Sequence, residues 1–316
     1  MTIAQIYQKA IQAGIAADPR GKVRIKKLLT REKENYQKLP AAEKKEFDQE
    51  RLQNPYADSR ILFGNPRKRV KNLMVGVDID TPELLLAQNI RPKIDAVFSH
   101  HPSGVALANL DQVMQMQADI LQAVCNVPIN IAEGTLKERI LQVGRSLAPS
   151  NHQRTVDAAR LLNIPLFCLH TPVDNLVFRY LTDELGKRDL ETVGEIVDFL
   201  KTIPEYKQAS HISAGPVIFA GDKANRAGKI VVSEVTGGTE GAKEIYPYLA
   251  QAGVGTIISM HIKDESREEA IKNHLNVIVA GHIASDSLGL NLFLDQIEKM
   301  GVKIIPASGL IRVKRK

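Results

Sequence analysis

The sequence has little cysteine and no long apolar run. Its two cysteines, Cys125 and Cys168, lie far apart and outside any CxxC pair, so neither a disulfide framework nor a thiolate zinc site is expected. No stretch of about 18 apolar residues occurs, and the opening MTIAQIYQKAIQAG lacks the features of a secretory signal. We therefore expect a soluble, cytoplasmic protein with no membrane partner, in which histidine and carboxylate side chains hold any metal ion.

The positive charge of the chain is confined to its N-terminal part. The formal net charge is +6, and residues 18–72 hold 16 Lys and Arg against 8 Asp and Glu, which leaves residues 73–316 slightly negative. A basic helical segment can bind nucleic acid or an acidic partner. Charged runs are more often solvated helix faces, and we favour that interpretation over a nucleic-acid partner.

The length and composition suit two domains and an extension. With 316 residues, 44% of them hydrophobic, the chain can fill two α/β cores. Apolar spacing over residues 3–13 and a helix start at Pro40 predict a basic helical extension over residues 1–68. We expect a first α/β domain at residues 69–180 and a second at 181–316, whose C-terminal segment can return to the first.

An internal repeat follows the extension. The segment from Leu73 runs LMVGVD, a turn, TPELLLAQNI and IDAVFSHHPSG; the segment from Ile230 runs IVVSEV, a turn, TEGAKEIYPYLAQAG and GTIISMHIKDE. Both are typical of strand, turn, helix and strand, and both end on histidine. We interpret them as a duplicated α/β unit, with chance similarity of two such units as the alternative.

Five of the eight histidines follow predicted strands. Ligands collect at the carboxyl ends of strands in open α/β sheets. After the first pair, Pro102 and Gly104 predict a turn that lets two adjacent imidazoles converge. A single histidine in such a position is more often a hydrogen-bonding side chain, whereas the set suggests a metal site. The five are His100, His101, His170, His261 and His282.

Two carboxylates accompany these histidines. Asp174 follows His170 by four residues in HTPVD, where Pro172 predicts a turn, and Asp286 follows His282 by four residues in GHIASD at a predicted helix start. Asp286 could alternatively cap that helix. Because two dications repel each other, a dinuclear centre needs anionic ligands. Mixed imidazole and carboxylate ligands suit two divalent ions of zinc, iron, manganese or nickel without choosing among them.

The loop VTGGTEG follows a predicted strand and precedes a predicted helix. The amides of Gly237, Gly238 and Thr239 could approach a phosphate or another anion of a bound small molecule. The loop matches neither a Walker A nor a GxGxxG pattern, so a plain tight turn is the alternative.

These blocks resemble the Nif-three-like dinuclear-metal proteins, a family also called GTP cyclohydrolase type-two homologues. The resemblance spans about residues 70–309. It rests on GVDIDTPELLLAQ leading to SHHP, LHTPVDN, VTGGTEGA, and AGHIASDSLGLNLF followed by GVKIIPASG, in the family's order. It implies an α/β fold of duplicated units with mixed sheets flanked by helices, two metal ions per chain and a ring-shaped homohexamer.

The resemblance also implies a ligand set and two departures from it. Family members carry glutamate where this chain has Asp286, which alters the metal separation that this carboxylate can support. His261 stands where members often show a Thr-Gly-Glu strand ending, and would act as an extra ligand or a proton carrier. The first 70 residues match nothing in the family's core. The implied metal ligands are His100, His101, Asp174, His282 and Asp286.

Three functions are compatible with these features. The first, which we favour, is a metal-dependent hydrolase in which a metal-bridging hydroxide attacks a nucleotide-like or phosphate-bearing small molecule, with His170 or His261 as catalytic proton carrier. The second is a metal-binding or metallochaperone protein without a reaction of its own. The third is a regulatory adaptor that acts through the basic N-terminal extension.

Overall fold

The computed structural model describes residues 1–315 and contains two α/β units, each built on a mixed sheet. The helices of these residues are α1 (Ile3–Ala17), α2 (Lys22–Lys38), α3 (Ala41–Glu46), α4 (Thr81–Asn89), α5 (Gly104–Ala108), α6 (Leu110–Met114), α7 (Met116–Ile120), α8 (Ile129–Leu147), α9 (Arg154–Leu162), α10 (Thr171–Leu185), α11 (Val193–Leu200), α12 (Pro204–Ser210), α13 (Tyr246–Gln251), α14 (Asp264–Lys272) and α15 (His282–Glu298). The strands are β1 (Arg60–Phe63), β2 (Asn72–Gly76), β3 (Ala96–Ser99), β4 (Leu166–Cys168), β5 (Val217–Ala220), β6 (Lys229–Val232), β7 (Val254–Ser259), β8 (Asn276–Val279) and β9 (Lys303–Pro306).

The two sheets repeat one topology. The first has the order β1-β4-β3-β2-β9 and the second has the order β5-β8-β7-β6. In each sheet the first strand is antiparallel to its neighbour, and the next three are parallel. The C-terminal strand β9 adds to the first sheet, parallel to β2. The predicted fold of α/β units with mixed sheets flanked by helices is confirmed.

The parallel strands lie in the interior. Every residue of β3 and β4 is buried, whereas the antiparallel edge strands β1 and β5 are partly exposed. Parallel strands covered by helices on both faces are expected to be apolar along their whole length, as AVFS and LFC nearly are. The polar residues that follow such strands are therefore held at a rigid, well-packed edge.

Helices α10 and α15 lie between the two units. Side chains from both helices pack into the core of the first sheet, including Val173 and Phe293, and others from the same helices pack into the core of the second, including Leu181 and Leu288. A Cβ on Gly289 would lie 2.6 Å from the carbonyl oxygen of Val173, so the glycine allows the two helices to approach closely. The N-termini of α10 and α15 are thereby fixed relative to both sheets.

The N-terminal segment, residues 1–68, contains the predicted helices and also strand β1. Helix α1 buries Ile3, Ile6 and Tyr7 in the core of the first sheet, and the same segment supplies β1, which pairs with β4. The segment is therefore integrated with the first unit. Among residues 1–315, no helix is both long and apolar enough to cross a lipid bilayer.

The contact between α1 and α10 predicts a stability effect. A Cβ on Gly14 would lie 2.6 Å from the Cα of Pro172, whereas one on Gly134 of α8 would meet nothing within 4 Å. We expect Gly14→Ala to lower the free energy of unfolding by about 1–3 kcal/mol through overpacking. Gly134→Ala should leave it unchanged or raise it by up to about 1 kcal/mol. Urea denaturation followed by circular dichroism measures both; equal stabilisation by the two substitutions would contradict the packing argument.

Candidate metal centre

Six side chains from three separated segments meet at one end of the two units. His100 and His101 follow β3, His170 follows β4, and His282 follows β8. The ring centroids are 5.2 Å apart for His100 and His101, 5.1 Å for His100 and His170, and 5.2 Å for His101 and His282. With the two carboxylates between them, these residues form what we call the His–Asp cluster: His100, His101, His170, Asp174, His282 and Asp286.

Asp286 lies at the centre of this cluster. Its Oδ1 is 3.5 Å from His100 Nε2, and its Oδ2 is 3.5 Å from His101 Nε2 and 3.7 Å from His282 Nε2. Asp174 faces the other side, with Oδ1 3.3 Å from His100 Nε2 and Oδ2 3.6 Å from His170 Nε2. Asp174 and Asp286 thus each turn their two oxygens toward different imidazoles, an arrangement that suits a carboxylate shared by two ions.

The nitrogen and oxygen atoms that face the centre of the cluster suit a metal ion. Buried atoms without a hydrogen-bond partner within residues 1–315 include His100 Nε2, Asp174 Oδ1 and both carboxylate oxygens of Asp286. Leaving such groups unpaired in the interior is costly, and a cation would satisfy all of them. Three overlapping groups have ligand atoms within 4.8 Å of one another: His100, His101 and His170; His101, His282 and Asp286; and His100, Asp174 and Asp286.

Each unit contributes one copy of the same helix start. His170 is the N-cap residue of α10 and is followed four residues later by Asp174; His282 is the first residue of α15 and is followed four residues later by Asp286. Residues four apart share one helix face, so each histidine points the same way as its carboxylate. The prediction of a turn at HTPVD was wrong, because Pro172 occupies the first turn of a helix, where its missing N–H costs nothing.

The Nδ1 atoms of three imidazoles, which face away from the centre of the cluster, lie within hydrogen-bond distance of oxygen atoms. His100 Nδ1 lies 3.1 Å from the carbonyl oxygen of Leu169, His101 Nδ1 lies 2.6 Å from Asp78 Oδ1, and His170 Nδ1 lies 2.8 Å from Asp58 Oδ2. A proton on each Nδ1 would leave Nε2 with a free lone pair toward the cluster. This arrangement is common around protein metal sites, where it fixes ring orientation and tautomer.

Sequence reasoning missed Asp58. This residue is fully buried and also accepts a hydrogen bond of 2.6 Å from the Thr171 hydroxyl. Burial would raise the pKa of the Asp58 carboxyl, but hydrogen bonds from His170 and Thr171 hold it below its ordinary value. Asp58 lies just before β1, in the segment predicted as an extension, so no strand-end criterion indicates it.

Asp78 was missed for a different reason. It lies two residues beyond β2, so the criterion that selected the histidines also applies to it. Unlike Asp174 and Asp286, however, it has no histidine four residues before it in the sequence. The short hydrogen bond to His101 makes Asp78 part of the centre, although the outer side of its carboxylate is exposed.

Two other predicted features lie around the cluster. The ring of His261 is 5.2 Å from the ring of His282, which places His261 at its border. In the Gly-rich loop, the carbonyl oxygens of Gly237 and Thr239 accept hydrogen bonds from the Gln117 side chain, and a Cβ on Gly238 would lie 3.0 Å from Met114. The glycines therefore permit close packing on α6 and α7, and the anion-binding role of Gly237, Gly238 and Thr239 stays a prediction.

Protons stabilise the metal-free cluster electrostatically. Burial opposes protonation of His100, yet the carboxylates of Asp286 and Asp174 raise its pKa well above the ordinary value. For His101, burial is likewise outweighed, and the partners Asp286 and Asp78 raise the pKa to about 9. Burial would raise the pKa of Asp286, but the adjacent imidazoles lower it. The cluster therefore favours positive charge at its centre.

This competition predicts a pH dependence of metal binding. Because the pKa of His101 is about 9 in the metal-free protein, an incoming ion must displace that proton at neutral pH. We expect the apparent Kd to fall as pH rises through the range about 6 to 8, by about tenfold per pH unit for each proton released. Calorimetric titration in buffers of different ionisation enthalpy counts those protons, and a Kd that is flat over this range would contradict it.

Comparisons with known proteins identify the fold. No protein-family model matches the chain, and no curated protein matches it. Among solved structures, a NIF3 superfamily protein from Sphaerobacter thermophilus is 29% identical, with a TM-score of 0.70, over 80% of this chain and 92% of that one. Reduced HcgD from Methanocaldococcus jannaschii is 16% identical, with a TM-score of 0.48, over 80% and 93% of the two chains. A Bacillus cereus protein related to NIF3 is 12% identical, with a TM-score of 0.43, over 79% and 91%.

Of these three structures, only the first has a TM-score above 0.5. The agreement in sequence and fold extends over most of both chains. The buried His–Asp cluster is, in addition, consistent with a dinuclear metal site. In sequence and in fold this chain is similar to the NIF3 superfamily protein from Sphaerobacter thermophilus.

Proposed function

We propose that the protein is a metal-dependent hydrolase that acts on a nucleotide-like or phosphate-bearing small molecule. The observation that carries the proposal is the set of buried, unpartnered donor atoms of His100, Asp174 and Asp286 beside a cleft large enough for a substrate. His100, His101, Asp174, His282 and Asp286 would hold two divalent ions. Ions held there would supply Lewis acidity and lower the pKa of bound water toward neutrality.

The cleft opens at His101. It has a volume of about 500 Å³, within the range of roughly 300–1,000 Å³ typical of small-molecule sites. Its lining is largely polar and includes Asp78, Ser103, Asn151 and Arg154. His101 is a quarter exposed, whereas His100, Asp174 and Asp286 are buried. A substrate would therefore reach the centre past His101, and Arg154, ion-paired with Asp80, would lie near a bound phosphate group.

Within this proposal His170 is the proton carrier. Within residues 1–315 it is the one imidazole of the cluster that makes no close contact with Asp286. Its Nδ1 is held by Asp58, as the base of an Asp–His pair is held in many hydrolases. The Nε2 atom is then free to accept a proton from, or return it to, a group at the centre. Asp58 acts as a positioning residue because it touches His170 alone among the cluster imidazoles.

The first test concerns the metal centre as a whole. We expect His101→Ala to abolish metal-dependent turnover, in a screen of nucleotides and phosphoesters, and to lower the number of bound ions measured by elemental analysis. His211→Ala, at an exposed site after α12, is the matched control and should behave as wild type. Turnover that survives His101→Ala would refute the proposal. Two bound ions in the wild type without any turnover would favour the metal-storage alternative, which the burial of most ligands also suits.

The second test concerns His170 and Asp58. We expect His170→Ala to lower turnover by about 10²- to 10⁴-fold, as loss of a general acid or base does, while two ions remain bound. Asp58→Ala should cause a smaller loss in the same direction, and the exposed Asp189→Ala should cause none. Steady-state kinetics and metal analysis of the same preparations measure both effects. Loss of one ion in His170→Ala would show instead that this imidazole is a ligand.

A further inference from the structure

We propose that His261 is an additional ligand of the metal centre, contributed by the second unit and positioned by Glu240. This inference rests on the proposed function only in requiring that the centre binds metal; it requires no particular substrate. It replaces the role of proton carrier that the sequence left open for His261.

The duplication makes His261 the counterpart of His101. Strand β3 ends at Ser99 and strand β7 ends at Ser259, and in both units the histidine lies two residues further. Both strands have the same neighbours in their sheets, since β3 lies between β2 and β4 and β7 lies between β6 and β8. The position of His100 is taken by Met260 in the second unit. His261 is thus the histidine of the second unit that corresponds in position to His101.

The carboxylate beside each histidine is also repeated. Asp78, in the loop between β2 and α4, lies against His101 Nδ1. Glu240, in the loop that leads from β6 toward α13, has Oε2 3.8 Å from His261 Nδ1. Glu240 is buried, and its Oε1 accepts a hydrogen bond of 2.6 Å from the Ser266 hydroxyl and one of 3.2 Å from the Lys263 amide. One oxygen is therefore anchored on α14 while the other faces the imidazole.

The ring spacing suits a shared ion. With a metal–nitrogen distance of about 2.1 Å, two imidazoles on one tetrahedral ion have ring centroids about 5 Å apart. His261 and His282 are 5.2 Å apart, the same separation as His101 and His282. The group of His101, His282 and Asp286 supplies three ligand atoms. The ligand atoms of His261 lie outside this group, and an ion bound to the group would draw in His261 as the fourth ligand, the number that zinc and cobalt accept in tetrahedral sites.

The experiment is a titration of full-length, metal-free protein with Co²⁺, followed by visible absorption and calorimetry. We expect wild type to bind two ions and His261→Ala to bind one of them more weakly, with an altered cobalt spectrum. Glu240→Gln should weaken the same ion by about 10- to 100-fold, the range for residues that orient a ligand, and His261→Ala should weaken it at least as much. His211→Ala should match wild type, and thermal unfolding of each metal-free variant shows that it is folded.

A third variant detects ligation directly. In His261→Cys, a thiolate bound to cobalt should give a near-ultraviolet charge-transfer band that a merely structural residue would not produce. Two ions bound to His261→Ala with wild-type affinity and spectrum, together with no such band in His261→Cys, would overturn this inference while leaving the centre intact. Wild-type protein that binds no Co²⁺ would overturn both this inference and the proposed function.

Discussion

The centre depends on the burial of Asp286 among three imidazoles. A carboxylate removed from water and left without hydrogen-bond donors is expensive, and only nearby positive charge offsets that cost. Here His100, His101 and His282 supply the neighbours, and both oxygens of Asp286 lack a hydrogen-bond partner within residues 1–315. The two sheets and the helices between them hold these four side chains in place. The rest of the fold acts as a frame for this one electrostatic arrangement.

Duplication explains how a centre of this kind can be assembled from similar parts. Each unit places a histidine after the parallel strand that lies next to its antiparallel edge strand, and starts a helix there with an aspartate one turn later. Asp174 lies in the first turn of α10, where the free amides of a helix N-terminus favour negative charge, and Asp286 lies one turn after His282 at the start of α15. The units differ at the position of His100, whose counterpart is Met260. Because of this difference, the first unit contributes more histidines to the His–Asp cluster than the second.

Much of this centre could be predicted from the sequence because its parts are local. Strand runs that end in histidine, and the four-residue spacing of HTPVD and GHIASD, place ligands at rigid edges without any knowledge of long-range contacts. The relation of Asp58 to His170 could not be predicted in this way, since 112 residues separate them and they meet through the antiparallel pairing of β1 with β4. The role of the Gly-rich loop was ambiguous for the same reason. Its glycines pack against α6 and α7, and no local sequence pattern places those helices beside the loop.

The same long-range contacts give the N-terminal segment a part in the centre. Asn175, the neighbour of Asp174 on α10, donates hydrogen bonds to the Gly14 carbonyl and the Tyr56 hydroxyl and accepts one from Thr236. All the side chains of this network are buried, so breaking it would leave polar groups unpaired in the interior. The first turn of α10 is therefore held from two sides, by the N-terminal segment and by the Gly-rich loop of the second unit. Because Asp174 lies in that turn, the position of one carboxylate of the His–Asp cluster depends on a segment that contributes no side chain to the cluster.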